Sequence, residues 1–200
     1  MRVLLLETQL PARLASSSRR QIPFMEELLR PFQGLELIPE RIHSRSDLKK
    51  FLDLARRDPR IRVVHIVSHG KYSTKRPVII LTGDEKINLA AEGRTLFKGL
   101  RGKVILFSCC EVGGNAELMR VLLKASGAKA IFSYTDTVTD RQALITEALF
   151  YHLAHRHFSG RDSIQALRKV HEQLRFVLNF VGIDQDRDSL TDPLFAADFS

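Results

Sequence analysis

The 200-residue sequence lacks the features of membrane-spanning and disulfide-rich proteins. No stretch approaches the roughly eighteen consecutive apolar residues that a transmembrane helix requires, so we expect none. The apolar run near the start contains the acidic Glu7 and no small-residue cleavage site follows it, which predicts a first β-strand rather than a signal peptide. The two cysteines, Cys109 and Cys110, are adjacent, and such neighbours rarely form a structural disulfide. They indicate a reducing compartment, and we expect a cytoplasmic location.

Nucleotide and metal chemistry also lack their usual sequence signals. No GxxxxGK[ST] or GxGxxG phosphate loop is present, which argues against a nucleotide cofactor. His152, His155 and His157 cluster, but no cysteine or acid joins them at a spacing typical of metal ligands. Together with His43 and His171, they are expected on loops or on polar helix faces. We therefore expect neither a cofactor nor a metal.

What the sequence does contain indicates one domain with a basic surface. Hydrophobic residues make up 44% of the chain, enough for a domain spanning residues 1–200 to bury a core. Lysine and arginine total 31 against 23 acidic residues, for a net charge of +8, which leaves a nucleic-acid-binding α/β protein open as one alternative function. The basic residues are spread along the chain without a basic tail or arginine–aromatic interleaving. We therefore do not expect nucleic acid to be the main partner.

Apolar runs of strand length alternate with amphipathic helical patterns along the chain. Strands are predicted at residues 2–6, 35–38, 61–67, 78–82, 103–107, 130–134 and 193–199, and helices at residues 16–30, 46–57, 89–100, 116–125, 139–157 and 161–180. Pro39 is expected to end the second strand, and Ser46 to cap the second helix. Nearly all-apolar strands between amphipathic helices predict a three-layer α/β/α fold with a mostly parallel central sheet of about six strands.

Two of the predicted strands end in chemically reactive residues. Residues 61–67 are followed by Ser68-His69-Gly70, and residues 103–107 by Ser108-Cys109-Cys110. Ligands of open parallel sheets bind outside the carboxyl ends of the strands. If these two strands are neighbours, His69 and Cys110 face one crevice, where the imidazole can serve the thiol as a base or ion-pair partner. The backbone N–H groups of Gly70 and Cys110 are then candidates for an oxyanion hole.

Residue types alone leave a non-catalytic interpretation open. A histidine at a strand end is more often a hydrogen-bonded core residue, and buried free cysteines are commonly inert. His65, within the strand, is expected on the other face of the sheet. Since side chains alternate at a strand end, Cys109 is expected to be a buried packing residue and Cys110 the reactive one.

The segments HIVSHG (65–70) and VILFSCCEVGG (104–114) resemble the CHAT subgroup of the caspase-like cysteine peptidases of clan CD. The likeness continues in GAKAIFSYTDTVTD, SIQALRKVHEQLR and DPLFAADF, and it covers roughly residues 60–200 in the family's order. Two positions depart from the family pattern: Asp136 stands where the family has a tryptophan, and Val112 where it has a threonine. The Q-A-C-x-G signature of caspases is absent, so cleavage after aspartate does not carry over.

The resemblance implies a caspase-like fold and a cysteine endopeptidase with a His69–Cys110 dyad. It also implies a protein substrate, for instance a gasdermin-like protein in bacterial defence or programmed cell death, and activation by a partner protein. Asp140 matches the family's acid after the fifth strand, and with Asp136 it would pair with an arginine or lysine just before the cut. A catalytically inactive caspase-like scaffold is the main alternative function.

Several acidic positions keep a structural alternative. Asp140 can instead be the N-cap of the helix at residues 139–157, and Asp136 can belong to a turn. Glu111 is expected to form structural hydrogen bonds in its loop. Arg141, Thr146 and Glu147 are expected to be surface or packing residues.

Overall fold

The structure, a computed structural model, describes residues 1–8, 21–73, 76–81, 85–158, 163–180 and 194–200, with the backbone alone described at 71–73, 76–77 and 80. The strands are β1 (Arg2–Thr8), β2 (Glu36–Ile42), β3 (Ile61–Val67), β4 (His69–Ser73), β5 (Arg76–Ile80), β6 (Lys86–Asn88), β7 (Val104–Ser108), β8 (Ala130–Tyr134) and β9 (Phe195–Phe199). The helices are α1 (Gln21–Leu29), α2 (Arg45–Arg57), α3 (Leu89–Leu96), α4 (Ala116–Ser126), α5 (Asp140–Ala154) and α6 (Ser163–Phe180).

A six-stranded, mostly parallel sheet forms the centre of the fold. Its strand order is β2-β1-β3-β7-β8-β9. The first four pairings are parallel, and β9 pairs with β8 antiparallel. The predicted mostly parallel sheet of about six strands is confirmed. The strands that precede His69 and Cys110 are neighbours, because β3 pairs with β7, so the condition set for a shared crevice is met.

Helices cover both faces of this sheet, which confirms the three-layer α/β/α prediction. Successive residues of a strand point to opposite faces, so β1 contributes Leu4 and Leu6 to one apolar cluster and Val3 and Leu5 to the other. The first cluster contains the buried apolar side chains of α2, α3 and α4. The second contains those of α1, α5 and α6.

A second, antiparallel sheet with the order β4-β5-β6 follows directly after β3. The sequence pattern predicted one arm of it at residues 78–82, whereas the structure has β5 at Arg76–Ile80. It did not predict β4 or β6. Only Ser68 separates the end of β3 from β4, so the chain passes from the central sheet into the small sheet at the predicted reactive segment.

Two local predictions in the first sixty residues are wrong. Pro39 does not end β2, which continues to Ile42. This strand is at the edge of the sheet and pairs on one side, where a residue without an N–H group is tolerated. Ser44, rather than Ser46, caps α2. Its hydroxyl accepts from the Asp47 N–H while the Asp47 carboxylate accepts from the Ser44 N–H, which forms a capping box.

Other strand ends differ by one or two residues, as β1 continues to Thr8, and further differences concern helix ends and one histidine. Helix α3 ends at Leu96, four residues before the predicted end, and α5 at Ala154, three residues before it. The predicted starts at residues 16–20, 161–162 and 193 are outside the described residues. His171, expected on a polar helix face, is buried, and its Nε2–H donates to the Phe195 carbonyl at 2.8 Å.

No helix in the described ranges combines the length and the apolar character needed to cross a bilayer.

Candidate active site

The ends of β3 and β7 bring the two predicted reactive segments to one edge of the sheet. Val67 is opposite Ser108 in the parallel register. Just beyond this pair, the Ser68 N–H donates to the Ser108 carbonyl at 3.3 Å. His69 and Cys110 each follow the Val67–Ser108 pair by two residues, so they leave the sheet at equivalent positions of adjacent strands.

The main chains of Gly70 and Cys110 are in direct contact. A Cβ atom added at Gly70 would lie 1.9 Å from the Cys110 carbonyl oxygen and 2.9 Å from the Cys110 carbonyl carbon and nitrogen. No side chain fits in that space. Glycine at position 70 therefore allows the segment that carries His69 to approach the segment that carries Cys110 backbone to backbone.

The two neighbouring cysteines have different surroundings. Alternation along β7 directs Cys109 to the face covered by α2, α3 and α4, where it is 1% exposed and its sulfur is 3.7 Å from the Ile66 carbonyl oxygen. Cys110 is half-buried. Its Sγ lies 3.5 Å from the Val138 nitrogen and 3.8 Å from the Val138 oxygen. Cys109 is thus a core residue, as expected, while the Cys110 sulfur contacts the loop that precedes α5.

Two glycines after Cys110 allow the chain to pack closely against the end of β8. Added Cβ atoms at Gly113 and Gly114 would lie 3.0 Å from the Tyr134 oxygen and 2.8 Å from the Thr135 oxygen. Glu111, before these glycines, adopts a left-handed conformation with φ of 63°. The loop from Cys110 to Gly114 is therefore pressed against the strand end that leads into α5.

Glu111 makes the structural contacts that the sequence predicts for it. Its N–H donates to the Asp136 carbonyl at 3.1 Å, and its carboxylate accepts from the Thr137 hydroxyl at 3.1 Å. These bonds join the loop after β7 to the loop after β8. The position of the Cys110 sulfur beside Val138 follows from this connection between the two loops.

Asp136 and Asp140 flank Val138, the residue that contacts the Cys110 sulfur. The exposed Asp136 carboxylate accepts from the N–H of Thr137 at 2.6 Å, the local bond of a turn residue. Asp140 is half-buried and is the first residue of α5. The N-cap is Thr139, whose hydroxyl accepts from the Gln142 N–H, so the N-cap alternative for Asp140 is wrong. Both carboxylates belong to the segment beside Cys110.

Glu147 is the feature of this region that the sequence prediction missed. It is a completely buried carboxylate on α5. It accepts hydrogen bonds from the Ser108 hydroxyl and the Gln21 side-chain amide, and a 3.3 Å hydrogen bond from the Tyr134 hydroxyl. The sequence held a signal, because Glu147 falls on the apolar stripe of α5 in the series Ala143, Glu147, Phe150, Tyr151, Ala154.

Glu147 also faces a buried histidine from β3. Its Oε2 is 3.4 Å from His65 Nε2, and His65 Nδ1 is 3.1 Å from the Tyr151 hydroxyl. Burial, and secondarily the charge of Glu147, raises the pKa of Tyr151 well above its ordinary value. The phenol therefore stays protonated and can donate to Nδ1, which leaves the ring proton on Nε2, facing the carboxylate. His65 lies on the face covered by α5, as Val63 and Val67 do.

Comparisons with known proteins identify the fold. No family model and no curated protein sequence matches the chain. Among solved structures, the crystal structure of the Drosophila initiator caspase Dronc is similar to it with a TM-score of 0.50 and 12% sequence identity, over 99% of this chain and 79% of that chain. At this identity the likeness shows the architecture alone. The six-stranded, mostly parallel sheet between two layers of helices is a caspase-like fold.

Proposed function

We propose that this protein is a cysteine endopeptidase of the CHAT subgroup of caspase-like peptidases, with residues 1–200 as one catalytic domain. The nucleophile is Cys110 and its proton-transfer partner is His69. The observation that carries the proposal is the main-chain contact between Gly70 and Cys110, at the edge where β3 and β7 end side by side. A caspase-like fold supports it, because ligands of such sheets bind at the carboxyl ends of the parallel strands.

The chemistry proposed is acyl transfer through a thioester. His69 takes the proton of the Cys110 thiol, and the thiolate attacks the carbonyl carbon of the scissile peptide bond. The N–H groups of Gly70 and Cys110 stabilise the tetrahedral oxyanion. As the carbon–nitrogen bond breaks, His69 gives its proton to the leaving amine. Water then hydrolyses the thioester, which releases the carboxylate product and restores the thiol.

The different surroundings of the two cysteines support Cys110 as the nucleophile. A thiol that attacks a peptide bond must be reached by the substrate. Cys109 is 1% exposed and packs in the core, whereas Cys110 is half-buried at the sheet edge.

For the substrate, we propose a protein cleaved after arginine or lysine. Asp136 and Asp140 are each two residues from Val138, which contacts the Cys110 sulfur, so both belong to the segment beside the attacking atom. A carboxylate pairs well with a basic side chain in a partly dehydrated site. The resemblance to the CHAT subgroup extends this to a substrate such as a gasdermin-like protein, in bacterial defence or cell death, and to activation by a partner protein. The adjacent cysteines, which indicate a reducing compartment, favour a cytoplasmic location for the peptidase.

The proposal is tested by a peptide-library cleavage profile of the wild type beside Cys110→Ala and Cys109→Ala. We expect Cys110→Ala to abolish cleavage and Cys109→Ala to retain it, because the core sulfur takes no part in the chemistry. His69→Ala should lower the rate by orders of magnitude in a protein that still melts cooperatively. Equal loss in both cysteine variants would contradict the choice of nucleophile. Failure of a thiol-reactive peptide probe to label Cys110 in the wild type would favour the inactive scaffold.

Specificity is tested separately with Asp140→Ala. Since Thr139 supplies the N-cap of α5, the helix should persist in this variant. We expect a selective loss of cleavage after arginine and lysine, with cleavage of other library members retained. An unchanged cleavage profile would contradict the role proposed for Asp140.

A further inference from the structure

The buried Glu147 carboxylate has no part in the proposed chemistry, yet the fold surrounds it with polar groups. Glu147 and its partners Ser108, Gln21, Tyr134 and His65 are all 0% exposed. Burying a carboxylate is costly unless hydrogen bonds compensate for the lost water. Here the compensation comes from several different segments of the chain, so the carboxylate connects elements that are distant in sequence.

Three of the partners of Glu147 come from three adjacent strands of the central sheet. Ser108 is the last residue of β7, Tyr134 is the last residue of β8, and His65 lies two residues before the end of β3. These strands lead to Cys110, to the loop at residues 135–139 and to His69, respectively. One carboxylate on α5 therefore contacts every strand whose end carries a component of the candidate site.

Ser108 connects the hydrogen bonds of Glu147 to the edge of the sheet that carries His69 and Cys110. Its hydroxyl donates to Glu147, and its carbonyl accepts from the Ser68 N–H at 3.3 Å. Ser68 directly precedes His69, and Ser108 is two residues before Cys110. A shift of Ser108 would therefore move both members of the proposed dyad.

Tyr134 makes the equivalent connection for the loop that contacts the sulfur. Its hydroxyl donates to Glu147 at 3.3 Å and lies 3.2 Å from the Ala143 carbonyl, so the end of β8 is held to α5. The loop at residues 135–139 spans these two elements. Val138 within it contacts the Cys110 sulfur. The same carboxylate thus helps to determine where this loop lies against the thiol.

We propose that Glu147 is a positioning residue, which holds the ends of β3, β7 and β8 together. It thereby determines the position of Cys110 relative to His69 and to the loop at residues 135–139. Its consequence for peptide cleavage rests on the proposed function. Its consequence for the reactivity of the Cys110 thiol does not, because a histidine beside a thiol changes that reactivity whether or not a peptide is cleaved.

The decisive variant is Glu147→Gln, which keeps the side-chain volume but replaces one acceptor oxygen with an N–H₂ donor. In the Oε2 position the new donor would face the Gln21 amide and His65 Nε2, and in the Oε1 position it would face the Ser108 and Tyr134 hydroxyls. In either orientation the hydrogen bonds that the replaced oxygen accepts are lost. Thr146→Val is the matched control. It changes the neighbouring, equally buried residue of α5, and the Thr146 hydroxyl has no hydrogen-bond partner among the described residues.

The experiment measures the alkylation rate of Cys110 with iodoacetamide, assigned by fragment-ion mass spectrometry, together with kcat, KM and Tm. A displacement of about 1 Å in such a site costs on the order of 100-fold in rate. We therefore expect Glu147→Gln to lower both kcat and the alkylation rate by about 10- to 100-fold, with KM changed less than about twofold. Thr146→Val should match the wild type in both rates.

Unchanged kcat and unchanged alkylation in a folded Glu147→Gln protein, with a lower Tm alone, would overturn the proposal. If Glu147→Gln does not fold, Ser108→Ala decides, since it removes one donor and leaves the carboxylate with its other partners. We expect Ser108→Ala to slow alkylation, and a wild-type rate would overturn the proposal. A wild type without peptidase activity, but with slowed alkylation in these variants, would contradict the proposed function and leave the positioning role supported.

Discussion

Replacing Gly70 with alanine tests the geometry on which the candidate site depends. The added Cβ would lie 1.9 Å from the Cys110 carbonyl oxygen, whereas real Cβ atoms keep at least 3.0 Å from such neighbours. The two main-chain segments must therefore separate by about 1.1 Å. The atoms that the added Cβ would overlap belong to the Cys110 main chain, so no side-chain rotation can relieve the overlap.

The magnitude of the effect follows from that displacement. Gly70 is adjacent to His69, so the same shift changes the spacing between the imidazole and the Cys110 thiol. A misplacement of about 1 Å lowers the rate on the order of 100-fold, and we expect at least that loss in kcat/KM for peptide cleavage. Overpacking of this kind also costs about 1–3 kcal/mol in the free energy of unfolding.

The assay compares Gly70→Ala with Gly102→Ala in cleavage rate, Cys110 alkylation and urea unfolding. Gly102 has φ of 73° and nothing within 4 Å of an added Cβ, so its substitution introduces backbone strain of about 1–2 kcal/mol without a steric overlap. Gly102→Ala should therefore lose stability and keep both rates. A folded Gly70→Ala protein with wild-type cleavage and alkylation rates would refute the reasoning.

Two further predictions concern stability away from the site. Burial lowers the pKa of His171, whose Nε2–H donates to Phe195, so the folded state disfavours protonation. Its contribution to stability is complete above the ordinary pKa of 6.5 and is lost as pH falls below it, because the unfolded chain then binds the proton more readily. The urea midpoint should fall between pH 7 and pH 5, and less so in His171→Gln; equal slopes in the two proteins would contradict this. Lys103, 5% exposed, donates to the Asp58 and Ile61 carbonyls at 2.8 and 2.6 Å. Lys103→Met should lower the free energy of unfolding by about 1–3 kcal/mol, since two carbonyls lose their donor; an unchanged urea midpoint would show that water replaces it.

Much of the central sheet could be predicted from local patterns. The strand at residues 61–67 matches β3, and the strand at residues 130–134 matches β8, because continuous apolar runs bounded by polar residues are typical of buried parallel strands. Pro39 misled the prediction at β2. A proline is incompatible with a central strand but not with an edge, and edge position depends on which strands pair.

Part of the candidate site could also be predicted from local patterns. His69 and Cys110 follow apolar strands, and that local order is visible in the sequence. Glu147 was not found, because an acid on an apolar helical stripe can be a surface residue near the stripe's border or a buried ligand of distant donors. Its donors come from Gln21, Ser108 and Tyr134, and no local pattern predicts that these meet.

The sequence by itself therefore determined the alternation of strands and helices and the burial of the sheet on both faces. It also determined that reactive residues follow two of the strands. Each of these features depends on the pattern of residues that are neighbours in the sequence. The tertiary structure decided that β3 lies beside β7 and that Gly70 contacts Cys110. It also decided that Glu147 contacts residues at or near the ends of three strands. Ser108 and Glu147, for example, are 39 positions apart, and such contacts form only when long-range strand pairing and helix packing bring the segments together.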